Sequence, residues 1–183
     1  RVLLNAFNAW EYGHQSDRED LKANSMKVFD SYLKNGFTPV GFFKESVDFD
    51  KGYEDPVHSI RRQSEGIYAM LHFLAYEKEN GRRHPEWEQK MKNMLDILLR
   101  LQQADGSFPR KFRDDFTIVD TSGGSTPSAT LPLVMGYKYF KDKRYLASAK
   151  QTADYLEKVL ISKADYFSST LDANCEDKEA SLY

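Results

Sequence analysis

Residues 64–108 read SEGIYAMLHFLAYEKENGRRHPEWEQKMKNMLDILLRLQQADGSF, and this stretch decides the fold. Its first part, IYAMLHFLAY (67–76), is apolar almost all round, which predicts a helix buried on every side. A short polar turn with a glycine follows. Pro85 then sits where a first helical turn tolerates it, because its missing N–H needs no partner there. From there Trp87, Met91, Met94, Leu95, Leu98 and Leu101 recur three and four apart. That spacing marks one buried face on a helix whose other face is charged and borders water. One inner helix, one tight turn and one outer helix make the unit.

The unit recurs on both sides. VLLNAFNAWEYG (2–13) precedes SDREDLKANSMKVFDSYLKNG (16–36), and TPSATLPLVMGYKYFKDK (126–143) precedes RYLASAKQTADYLEKVLIS (144–162). Tyr145, Ala149, Thr152, Ala153, Leu156 and Val159 occupy the places of the 87–101 face 58 residues later. Ser16-x-x-Glu19 reads as a capping box opening a helix over 17–34, with Gly36 after its end. Pro127, after Ser125, reads as the counterpart of Pro85. The expected helical hairpins span about 2–35, 64–103 and 127–161 of one partial domain covering 1–183, with a fourth opening at 177–183. Repeated helix pairs of this kind stack into solenoids or closed rings.

Turns inside each pair are tight, whereas the connections between pairs are long. They run about 29 residues from Phe37 to Glu65 and about 23 from Ala104 to Thr126. Structureless loops of that length are uncommon and are often functional. FTPVGFFKESVDFDKGYEDPVHSIRRQ and ADGSFPRKFRDDFTIVDTSGGS are rich in aromatic and charged residues, and short β-hairpins are expected in both. All the length falls at the end where inner helices begin. The final stretch, SKADYFSSTLDANCEDK (162–178), reads as a third such loop, and EASLY (179–183) as the first turn of a fourth inner helix. The expectation is about half a ring, completed by further C-terminal hairpins or by a second copy.

Composition narrows the functional classes. A net charge of −2 and a pI near 6.1 supply no basic stripe for nucleic acid. No run approaches the ~20 apolar residues of a membrane span. Cys175 is the lone cysteine, so no internal disulfide or multi-cysteine metal site can form. The four histidines (14, 58, 72, 84) are scattered without HExxH spacing, and DANCEDKE lacks the order of a calcium loop. Neither a metal nor a cofactor is expected. Localisation is open, with secreted or periplasmic placement compatible with the sequence.

The alternation of inner and outer helices, together with Gln103-x-Asp105-Gly106-Ser107-Phe108 at the end of an outer helix, resembles the six-hairpin glycosidase superfamily, the (α/α)6 toroids. The fold class expected is therefore all-α: an incomplete α/α toroid with small β-hairpins in the long loops on one face. In the motif the glycine turns the chain and the phenylalanine plugs the next hairpin, a structural role. Terpenoid-cyclase-like toroids share it, but their bowl should be dry, whereas these loops are heavily charged. The resemblance implies an active site in the bowl at the N-terminal ends of the inner helices. Free N–H groups and a partial positive charge suit that end to anions.

The expected function is that of a carbohydrate-active enzyme, a glycoside hydrolase acting on an oligo- or polysaccharide through paired carboxylates. Such pairs stand ~5–5.5 Å apart in retaining and ~6.5–9.5 Å apart in inverting enzymes. Asp120, Asp172 and Glu176 are the catalytic candidates, because Asp177 and Glu179 suit helix-start positions. Arg62, Glu65, Phe112, Tyr166 and Asp177 are the substrate-binding candidates: an arginine to hold an acidic sugar, aromatic rings to stack on it. For each there is a bland alternative. Arg61 and Arg62 could pair with Glu65 or Asp55, His58 could be a satisfied loop histidine, His72 a core histidine, and the aromatics could be loop plugs. A polysaccharide lyase acting on a uronate-containing glycan, with Arg62 and Tyr166 prominent, is the alternative chemistry. A non-catalytic glycan-binding helical repeat protein is the alternative class.

Overall fold

A computed structural model of the chain describes residues 2–48, 50–121 and 123–163. The α-helices among them are α1 (Val2–Gln15), α2 (Glu19–Asn35), α3 (Ile60–Glu79), α4 (Pro85–Leu101), α5 (Thr130–Phe140) and α6 (Lys143–Tyr155). Inner helices α1, α3 and α5 pack side by side with α3 in the middle, and each is followed by its outer partner α2, α4 or α6. This is a partial α/α toroid. The predicted fourth helix at 177–183, with Asp172, Glu176, Asp177 and Tyr166, lies outside the described residues.

The α4 face follows its periodicity. Trp87, Met91, Met94, Leu95, Leu98 and Leu101 are all buried. Each such side chain contributes roughly 1.5–3 kcal/mol of burial free energy, opposed by the conformational entropy lost on ordering the chain. Pro85 occupies the first helical turn as expected. The α6 face departs from its pattern after Thr152. Residues Leu156–Ile161 form a π-helical turn. The wider turn shifts the face by one residue, so Leu160 is buried and Val159 only half-buried, while Ala153 is exposed.

Several local expectations are corrected. The Ser16–Glu19 capping box does not form. Ser16 Oγ donates back to the Tyr12 carbonyl at 2.6 Å, closing the last turn of α1. Asp17 then takes φ 56°, and α2 starts at Glu19 with no side-chain cap. Pro127 lies inside a 3-10 turn, Gly123–Ala129, ahead of α5 rather than in its first turn. α3 begins at Ile60, about one turn before the expected hairpin start at 64, because Ser59 caps it: Ser59 Oγ accepts from Arg62 N at 3.3 Å. α5 is not buried on every side. It packs on α3 and α6, and Leu131 on its remaining side is 41% exposed.

The glycine of DGSF behaves as a turn residue. Gly106 has φ 92°, and a Cβ there would lie 2.3 Å from the Gln151 carbonyl oxygen on α6. Asp105 Oδ1 accepts from both N and Oγ of Ser107, at 3.0 and 2.6 Å. Phe108 is buried behind the turn and donates its N–H to Thr126 Oγ1 at 3.0 Å. The motif thus fastens the end of α4 to α6 and to the approach of α5.

Candidate functional site at the long-loop end

The two long connections fold into short strands. β1 (Val47–Asp48) pairs antiparallel with β2 (Tyr53–Glu54), a hairpin within the first loop. β4 (Lys111–Arg113) and β5 (Ile118–Asp120) form a second hairpin. β3 (Val57–Ser59) joins β4, with His58 opposite Phe112, so loops from different helical hairpins share one three-stranded sheet. The sequence pattern predicted the hairpins and gave no sign of this pairing.

Phe42 and Phe43 anchor the first loop. Phe42 is fully buried among His58, Phe112 and Phe116. The Phe43 ring lies against Gly66 of α3, where a Cβ would meet it at 2.5 Å. Gln63, buried on the first turn of α3, clamps the Phe43 backbone reciprocally. Its Oε1 accepts from Phe43 N and its Nε2 donates to Phe43 O, both at 2.9 Å.

This anchoring delivers Glu45 to the start of α3. Its side chain is 1% exposed and touches three donors. Ser59 Oγ donates to Oε1 at 2.8 Å, Ser59 N donates to Oε2 at 3.2 Å, and Arg62 Nη1 lies 3.2 Å from Oε1. Burial pushes the carboxyl above its ordinary range, more strongly than the Ser59 hydrogen bonds and the nearby Arg62 and His58 draw it down. Glu45, Arg62, Gln63 and Phe43 line a cavity of about 210 Å³ between the first turns of α1 and α3. A buried carboxyl group whose affinity for its proton is raised, beside a cation and on a cavity wall, suits proton donation.

Sequence reasoning missed Glu45. The only available signal was its position two residues after a Phe-Phe pair in a charged loop. The expected residues fall as follows. Arg62, 44% exposed, pairs with Glu45, while Arg61 pairs with Glu65 at 2.9 Å, so the two arginines serve different carboxylates. Asp120 ends β5 and pairs with Arg110 at 3.1 Å, and its backbone carbonyl accepts from Arg110 N at 2.9 Å. Phe112 is fully buried against Phe42 and His58, so it plugs the loop and offers no face to a sugar. His58 is buried too, with Nε2 2.8 Å from Asp114 Oδ1. Glu45, Arg62 and Glu65 thus share the start of α3. The relation of Asp172, Glu176, Asp177 and Tyr166 to them lies outside the described residues.

No group of three or more His, Cys, Asp or Glu suited to a metal ion occurs among the described residues. No helix among them is long and apolar enough to cross a membrane.

No family model matches the chain. Solved structures do, two sugar epimerases among them. A cellobiose 2-epimerase from Bacillus thermoamylovorans B4167 superposes with a TM-score of 0.70 at 15% identity, over 85% of this chain and 40% of that one. A sugar epimerase from a ruminal bacterium superposes with a TM-score of 0.69 at 16% identity, over 86% of this chain and 40% of that one. Both are six-hairpin (α/α)6 toroids, and the described chain has part of that fold. It spans 40% of the length of each.

Proposed function

We propose that this chain is part of a carbohydrate-active enzyme that moves protons at a sugar held against the long-loop end. The observation that carries this reading is Glu45: a buried carboxyl group with a raised affinity for its proton, fixed by Ser59 and Arg62 on a cavity wall. Its location at the N-terminal end of the inner helices agrees with the bowl that the resemblance implied. In the first reading, glycoside hydrolysis, Glu45 protonates the leaving oxygen. Asp120, Asp172 or Glu176 supplies the second carboxylate, as base or nucleophile. Arg62 and Glu65 orient the sugar, with Tyr166 and Asp177 as further binding candidates.

A second reading is sugar epimerisation, favoured by the names of the two superposable structures. It needs the same kind of proton-carrying group. The two reactions leave different products. Hydrolysis shortens an oligosaccharide and adds one water, whereas epimerisation preserves its length and composition. The test is to incubate the intact protein with cellobiose and a panel of longer oligosaccharides and to resolve the products by mass spectrometry and NMR. Glu45→Gln should lower turnover by about 10²-fold or more, the typical contribution of a positioned proton donor. Undiminished turnover in a folded Glu45→Gln variant would sink the reading.

A further inference from the structure

A larger cavity lies away from the mouth. It is a cleft of about 720 Å³ between α1, α3 and α5, within the range of small-molecule sites. His72 lines it, ten residues beyond Arg62 on α3, which is about 15 Å along the helix axis. Phe7 and Trp10, both buried, line it together with the half-buried Tyr76 and Tyr139, and the Phe7 ring lies 5.5 Å from that of His72. His72 Nε2 is buried and has no hydrogen-bond partner among the described residues, although Tyr68 packs edge-on against the ring at 4.5 Å. Burial holds His72 toward its neutral form. Lys138 acts in the same sense, and Glu11 opposes them. A buried ring nitrogen without a partner costs free energy unless something supplies one.

The rim carries charge on each side, with Lys78 on α3 beside Glu79 and its Nζ 4.7 Å from the centre of the Tyr139 ring. Lys138 and Lys141 stand on the α5 side, and no carboxylate among the described residues pairs with either. Glu11 and Glu79 stand on the α1 and α3 side. The lysines suit an anionic substituent, and the carboxylates accept from hydroxyl groups. Aromatic rings in the lining suit the apolar face of a sugar ring.

We propose that this cleft is a second ligand site, separate from the Glu45 mouth, and that it takes a sugar ring bearing one anionic group. The ring rests against the aromatic lining, a hydroxyl reaches His72 Nε2, and the anionic group meets Lys138 and Lys141. The proposal does not depend on the chemistry at Glu45.

The test is calorimetric titration of the intact protein with glucuronate, glucose 6-phosphate and glucose. Binding of either anionic sugar at least tenfold tighter than glucose is expected. Glucuronate alone identifies a carboxylate site, and glucose 6-phosphate alone a phosphate site. Lys138→Gln combined with Lys141→Asn removes the positive charges on the α5 side while Asn keeps the left-handed backbone at 141 (φ 61°). His72→Phe keeps the ring and removes its nitrogens. Each should weaken binding tenfold or more with the melting temperature maintained, while Glu45→Gln leaves binding unchanged. Absence of binding, equal affinity for glucose, or full affinity in either cleft variant overturns the proposal.

Discussion

The two ends of the helical hairpins solve the same problem differently. At the tight-turn end, α3 passes to α4 through five residues and α5 to α6 through two. Most polar groups there stay near water, and they pair with one another. Glu77 takes Arg82 in a bidentate contact at 2.6 and 2.9 Å and His84 at 3.0 Å, and Glu88 joins Arg83 to Tyr139. At the long-loop end, polar side chains go inside: Thr38, His58, Ser59, Gln63, Ser64, Arg110, Ser125, Thr126 and Ser128 are all buried. Of the buried polar residues described, most belong to this end. A fold needs only to reverse direction at either end, so buried polarity beyond that need marks the end where loops must be held in one arrangement.

The sharpest way to break the long-loop end is through its turn. Gly106→Ala puts a side chain where φ is 92° and where a Cβ would strike the Gln151 carbonyl at 2.3 Å. Left-handed strain of about 1–2 kcal/mol adds to backbone displacement costing about 1–3 kcal/mol. A loss of about 3 kcal/mol or more is expected in denaturant unfolding. Gly81→Ala at the tight-turn end, with φ 76° and open space around its Cβ, should cost only the strain. Equal losses at the two glycines would remove the contrast.

Next in size is Gln63→Ala. It leaves the Phe43 N–H and C=O buried without partners, at about 1–3 kcal/mol per orphaned group. Because Phe43 and Phe42 carry the loop that delivers Glu45, turnover should fall with stability. Loss of stability with full turnover would detach the clamp from the site.

These two variants also show what the sequence made legible. Helix existence, the inner–outer order and the DGSF turn followed from local signals: three-and-four spacing, Pro85, and a glycine next to an aromatic plug. The site was less readable. Glu45 reaches Ser59 across fourteen residues, and β3 pairs with β4 across more than fifty. Neither contact has a periodicity, because both are set by how Phe42 and Phe43 dock on α3 and the sheet. Phe112 was misread for the same reason, since an aromatic in a charged loop looks identical whether it faces a ligand or the core. The π-helical turn of 156–161 likewise has no marker in an otherwise regular amphipathic pattern.

The smallest expected effect separates the ends by sign. Glu45 and Glu77 are the same residue type, both with nearly inaccessible side chains. Burial dominates at Glu45 and raises its carboxyl above the ordinary range. At Glu77 burial pushes upward as well, but the hydrogen bonds and charges of Arg82 and His84 outweigh it, and the carboxyl is lowered. The folded state therefore binds the Glu45 proton more tightly than the unfolded chain does. Its stabilisation is complete below the unfolded value, near 4.3 for glutamate, and is lost as pH rises through the folded one. Glu77 runs the other way: its contribution is present above the unfolded value and lost as pH falls through the folded one. In melting curves taken across the acidic range, wild type minus Glu45→Gln should decline as pH rises, and wild type minus Glu77→Gln should climb. Parallel slopes would mean that Arg62 and Ser59 stabilise the ionised Glu45 as fully as Arg82 and His84 stabilise Glu77, and Glu45 would then be a helix-start anchor rather than a proton donor.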